Sequence, residues 1–173
     1  MDLVAYVCRV AESDFRTRVV RLAASFNAPE IGFHSLSLRN WNRDFPRILS
    51  LYNDAWSDNA WATPVGREEA RLIARLMLPV CRPSWVRIAT FKGEDIAIIA
   101  QIPDVNEALR GLDGKLLPFG FARLLWRVHV RGTRMARVPM IGVAKKWRHT
   151  KVAVLAYNEL LARSIEDARN AGV

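Results

Sequence analysis

The sequence predicts an α/β domain built on a mixed sheet, of the α+β kind, and three observations predict it. Residues 96–102 are almost wholly apolar, as expected of a strand enclosed within a sheet. Residues 84–91 read as a partner strand, joined to it by Lys92-Gly93-Glu94-Asp95 as a hairpin turn. A further apolar run, 138–143, enters a basic turn, Lys145-Lys146-Trp147-Arg148-His149-Thr150-Lys151, and a helical pattern follows over about 152–171.

The remaining elements fall in order around these. Residues 2–7 alternate weakly as a short strand, and 13–24 carry Arg and apolar residues at helical spacing. Residues 33–38 alternate as a strand. Asp44 is placed to cap a helix running from Phe45 or Pro46 to about Tyr52, since proline is tolerated in a first turn. Residues 53–61 read as a helix end and polar loop with two tryptophans, Trp56 and Trp61, and Thr63-Pro64-Val65-Gly66 continues the loop. Residues 67–78 form a helix closed by Pro79. A helix starts after Pro103, a loop carries Gly111, Gly114, Pro118 and Gly120, and 121–130 are amphipathic and basic. Pro139 lacks a ladder donor, so it weakens the start of the 138–143 strand. Asn170-Ala171-Gly172 signals a helix C-terminus.

At 173 residues the chain is one domain's worth, and 51% hydrophobic with 25% charged residues indicates a packed core rather than disorder. No apolar run reaches bilayer-spanning length, and the N-terminus lacks the basic region of a secretory signal. A cytoplasmic location follows as the expectation, with Cys8 and Cys81 as free thiols. No Cys/His cluster has zinc spacing, so no structural metal is expected. The formal net charge is +9, but residues 114–158 contain no Asp or Glu and carry +10, leaving −1 for the remainder. Such a regional excess suggests an anionic partner. Two explanations stand beside a merely solvated basic face: phosphates of a cofactor held at the helix start, or a non-catalytic module binding nucleic acid or another anion, with Trp126 and Trp147 interleaved.

The element order and the turn resemble the GNAT superfamily of acyl-CoA N-acyltransferases. That family's phosphate-binding turn reads Gln/Arg-x-x-Gly-x-Gly/Ala, and Arg148-His149-Thr150-Lys151-Val152-Ala153 matches its first and last positions. Lys151 stands where the family has glycine, placing a side chain where backbone approaches a pyrophosphate. Residues 52–59, 103–109 and 117–127 further resemble one uncharacterised bacterial acetyltransferase-like subgroup. The resemblance covers about residues 33–173, with 1–32 expected as the tail of a preceding region. It also implies a fifth strand, a helix and closing strands beyond Val173, so the chain is expected to be an incomplete domain. A missing C-terminal portion, or a homodimer formed through the open sheet edge, would complete it.

What the resemblance implies is acetyl-CoA, or another acyl-CoA, and transfer of its acyl group to a small-molecule or peptide amine, with activity intact, impaired or lost. The implied cofactor-binding residues are Met140, Ile141, Gly142 and Val143 along the strand, and Arg148, His149, Thr150, Lys151, Val152 and Ala153 in the turn. Asn53, Trp56, Asn59, Asp104 and Asn106 are the implied acceptor-side residues. Asp104 and Glu107 also fit a capping box, the reading favoured for them, and Glu94 and Asp95 read as solvated turn residues. No catalytic residue is assigned.

Overall fold

Alternation of apolar residues with a two-residue period builds the centre of the molecule, a four-stranded antiparallel sheet in the order β1-β2-β3-β4. The computed structural model describes residues 7–25, 30–59, 62–112, 114 and 116–173. The strand expected at 2–7 falls almost wholly outside them, as does Trp61. The strands are β1 (Gly32–Ser35), β2 (Val86–Phe91), β3 (Glu94–Pro103) and β4 (Ala136–Val143). Around them run α1 (Phe15–Ser25), α2 (Trp41–Ala55), α3 (Arg67–Met77), α4 (Val105–Leu109), α5 (Gly120–Trp126) and α6 (Lys151–Asn170).

The sheet is a middle layer. On one face Ala89, Ala97 and Ile99 pack against Ala156 and Leu160 of α6. On the other, Ile88 and Ile98 pack against Leu51 and Ile48 of α2. The apolar 96–102 run lies in β3, between β2 and β4, as its composition requires. A separate helical cluster joins Val80, Ala108, Leu112, Leu124 and Val128. Helix α1 rests on α6 through Arg16, which pairs with Glu159 at 2.6 Å and Glu166 at 3.3 Å. No helix among the described residues is long and apolar enough to cross a membrane.

Local chemistry explains the boundaries, including those the sequence reading placed differently. The hairpin turn is Lys92-Gly93 alone, with positive φ at both (51° and 80°), the geometry that matches strand twist. Glu94 and Asp95 are therefore strand residues, not turn residues. An extra residue at Ile96 turns Asp95 toward α2, where it accepts from Arg47 Nε at 2.8 Å. Helix α2 begins at Trp41, several residues before Asp44, so Asp44 is not its cap. Asp44 is instead 1% exposed and accepts from the Ser37 N–H and Arg43. Burial alone would raise its pKa, but these bonds and the Arg43 charge hold it below the ordinary value. The 121–130 segment is helical only to Trp126 and then widens into a π-turn, Arg127–Arg131. Helix α6 ends in a Schellman motif: Gly172 takes φ +77°, with Val173 N–H on Ala168 O and Gly172 N–H on Arg169 O.

Pro139 is accommodated by a bulge. Ala100 faces Met140 and Ile102 faces Arg137, so Val138 and Pro139 together oppose Gln101. The extra residue removes the need for a ladder donor at proline. Strand β4 is last in the sheet order, and its outer edge runs from the bulge to the basic turn.

Candidate functional site

The strand β4, the turn after it and the start of α6 form one continuous feature. Ala144 N–H donates to Ile96 O at 2.8 Å, anchoring the turn to the sheet, and Lys145–Trp147 make one 3-10 turn. Trp147 meets Phe91 edge-on with centroids 5.4 Å apart, and its indole N–H donates to Glu94 at 3.3 Å. His149 takes φ +64°, which reverses the chain into Thr150. Thr150 caps α6: its hydroxyl accepts from Ala153 N–H at 3.1 Å and donates to Trp147 O at 2.7 Å. The cap thus engages the Ala153 amide, one of the donors that the family pattern assigns to phosphate. Lys151 and His149 are exposed.

The polar end of α2 holds this turn in place. Asp54 accepts from the Lys145 backbone N–H at 2.6 Å. Asp58 pairs with Lys145 Nζ and accepts from Arg148 at 2.9 Å. The second Arg148 nitrogen donates to Ala55 O, at the C-terminal end of α2 where a cation is favoured. Lys146 Nζ donates to Glu94 at 2.8 Å. The hydrogen bond and charge of Lys145, joined by Arg148, hold the Asp58 pKa below the ordinary value, and Lys146 does the same for Glu94. Glu94 and Asp95, read from sequence as solvated, are thus both engaged in pairs.

Trp56 stacks on Tyr52 at 5.0 Å and covers Gly142 of β4. A Cβ on Gly142 would lie 2.7 Å from two Trp56 ring atoms, so glycine is what lets the indole sit on the strand. Asn53 brackets Val65, accepting from its N–H at 2.9 Å and donating to its carbonyl at 3.0 Å, which pins the following loop. Asn59 N–H closes a turn on Trp56 O. Of the acceptor-side residues, Trp56 is therefore the one seated on the proposed cofactor strand, over Gly142.

Asp104 and Asn106 lie at the opposite end of β4. Asp104 is the N-cap of α4, accepting from Asn106 N–H at 3.1 Å, and it binds Arg137 through both oxygens at 3.0 and 3.2 Å. The capping reading holds for Asp104. Glu107 does not close a capping box, because it accepts from Arg134 N–H at 2.8 Å instead. Here a cleft of about 320 Å³ opens between α4, the π-turn and the start of β4. Its lining includes Arg127, Arg131 and Arg134, visible in sequence only as part of the 114–158 charge excess, and Arg110, which lies before that segment.

No protein-family model matches the chain. Two relatives do. The chain is 39% identical over 113 residues to the bacterial ceramide synthase of Caulobacter vibrioides (strain NA1000 / CB15N), a match covering 65% of this chain and 29% of the relative. It is 25% identical over 152 residues to the protein YghO of Escherichia coli (strain K12), covering 88% of this chain and 39% of that protein. The matches thus span well under half the length of either relative.

Proposed function

We propose that the chain is part of a GNAT-type N-acyltransferase, in which an acyl-CoA lies along β4 and gives its acyl group to an amine. One observation carries this reading: a bulged edge strand, a tryptophan seated on its glycine, and a basic turn opening a capped helix follow one another along a single line. An edge strand turns backbone N–H and C=O groups away from the sheet, where an extended amide-bearing arm can add as a strand does. In this reading Met140, Ile141, Gly142 and Val143 pair with that arm beneath Trp56. The turn 148–153 faces the phosphates with exposed His149 and Lys151 and the opening of α6, favoured by the positive end of the helix, while Arg148 and the Ala153 N–H hold the turn in shape. The amine nitrogen bonds to the acyl carbon, the carbon–sulfur bond breaks, and the amine proton leaves with the thiol. Residues 33–173 form the unit, with the preceding segment resting on α6.

The ceramide synthase relative supports the reaction class, because making a ceramide joins an acyl group to the nitrogen of a long-chain amino alcohol. It directs the choice of acceptor toward amines of that kind.

The test is thermal unfolding of the chain with acetyl-CoA and with a long-chain acyl-CoA, beside Lys151→Gly. A ligand held only by the folded chain adds about 2.7 kcal/mol at a hundredfold excess over its Kd, so a rise in Tm is expected. A rise confined to Lys151→Gly would assign the loss of binding to that side chain. No rise in either protein, with either thioester, would overturn the reading.

A further inference from the structure

The cleft at the start of β4 differs from the turn at its far end in having cations without carboxylate partners. Its two acids are engaged: Asp104 with Arg137 and the Asn106 N–H, Glu107 with the Arg134 N–H. Arg127 is engaged too, donating to Ala108 O at 2.8 Å and Arg110 O at 2.5 Å, which closes the end of α4. The guanidinium groups of Arg110, Arg131 and Arg134 have no such partner among the described residues, and all three residues are exposed at the cleft.

The backbone gathers them. The π-turn Arg127–Arg131 widens the helix, Gly132 reverses it at φ +80°, and the buried Thr133 hydroxyl donates to Met135 O at 2.8 Å. Arg131 and Arg134 are thereby set on either side of one tight corner, in the cleft that Arg110 also lines. Single π-turns of this sort are uncommon and concentrate at functional sites. With Asp104 neutralised by Arg137, four arginines stand against one remaining carboxylate, Glu107, among the described lining residues. A phosphomonoester carries about −1.5 to −2 and offers three oxygens to guanidinium forks, a better match to this excess than a single carboxylate.

We infer that the Arg110–Arg131–Arg134 cleft binds a phosphate group. That the group belongs to the molecule meeting the acyl donor rests on the proposed transfer, since β4 links the cleft to the basic turn over roughly 25 Å at about 3.3 Å per residue. The phosphate site itself rests on the cleft alone. Exposed Trp126, Val130 and Met135 (53%, 70% and 48%) flank the arginines in sequence, so both a soluble phosphomonoester and a phospholipid headgroup suit it.

Calorimetric titration tests it, with glycerol 3-phosphate as one probe and dihexanoyl phosphatidic acid below its micelle concentration as the other. The proteins are the parent chain, Arg131→Gln/Arg134→Gln, Arg110→Gln and Arg75→Gln. The expected result is binding to the parent, weakened about tenfold or more in the double variant and unchanged in Arg75→Gln, an exposed position on α3 outside both sites. Binding of both probes assigns a soluble source, and binding of the lipid alone assigns a headgroup. Should the double variant lose its cooperative melt, Arg110→Gln, altering one exposed side chain, carries the test. Absence of binding to the parent, or equal affinity in parent and cleft variants, overturns the inference. Acyl-CoA protection without phosphate binding would leave the transfer standing and remove the cleft. Phosphate binding without acyl-CoA protection would do the reverse.

Discussion

The two ends of β4 carry similar positive charge in sequence and use it in opposite ways. At the C-terminal end, Lys145, Lys146 and Arg148 are tied to Asp58, Glu94 and the end of α2. At the N-terminal end, the guanidinium groups of Arg131 and Arg134 line a cleft whose two described carboxylates, Asp104 and Glu107, are engaged by Arg137 and the Arg134 backbone N–H. The +10 segment is therefore not one basic field. Part of it is structural, fastening the turn to α2 and β3, and part remains available to a ligand. A chain-wide charge count cannot separate these, because each pair depends on where the partner acid folds.

The largest effect that would break this contrast is expected at Gly142. A Cβ there would meet rigid neighbours, two Trp56 ring atoms at 2.7 Å and the Ala55 Cβ at 3.0 Å. Gly142→Val should cost about 1–3 kcal/mol or more, read as a lower urea midpoint, with the turn's fastening to α2 disturbed. An unchanged midpoint would mean that Trp56 does not rest on β4.

Next in size is Asp104, 4% exposed, which caps α4 and binds Arg137. Asp104→Ala should cost about 2 kcal/mol, and Asp104→Asn, which retains a capping oxygen, roughly half that. Equal losses in the two variants would assign the whole effect to the ion pair.

A direct comparison of the ends follows. Arg148→Gln gives up its bonds to Asp58 and Ala55 O and should cost about 1 kcal/mol, as should Thr150→Ala through loss of the α6 cap. Arg131→Gln and Arg134→Gln should stay within about 0.5 kcal/mol of the parent. Cleft variants as costly as Arg148→Gln would show those arginines to be structural as well.

The smallest effect is in pH. Burial, reinforced by Arg47, pushes the His34 pKa below its ordinary value, and its Nε2 has no hydrogen-bond partner among the described residues. Below about pH 6.5 the unfolded chain then takes up more protons than the folded one, so stability is full above that pH and declines as pH falls. His34→Phe should flatten this decline. Asp58 and Glu94 carry depressed values, so their contribution persists above the ordinary carboxylate range and is lost only as pH drops through the folded-state values. The turn should therefore stay fastened across the window in which His34 titrates. Simultaneous loosening of both would contradict that separation.

Much of the fold could be read along the chain because its signals are local. The apolar β3, the Lys92-Gly93 reversal, the Asp104 cap and the Gly172 terminus each depend on residues a few positions apart. Where local signals competed, the reading slipped: Asp44 resembles a helix cap, but α2 already begins at Trp41, and burial against Arg43 and Ser37 claims that carboxylate. Pro139 weakens the start of the last strand in sequence, and the bulge opposite Gln101 gives it a place.

The sequence by itself determined the order of elements, the burial of β3 and the concentration of cations around β4, because periodicity and composition act over one or two turns. Only the tertiary structure decided which cations are paired and which stand without a carboxylate partner among the described residues. The partners of Arg148, Lys146 and Lys145 lie in Asp58, Glu94 and Asp54, dozens of residues away, and Gly142 acquires its purpose only when Trp56 is folded onto it. An ion pair is a matter of distance in space, and distance in space is set by how α2 and the sheet pack.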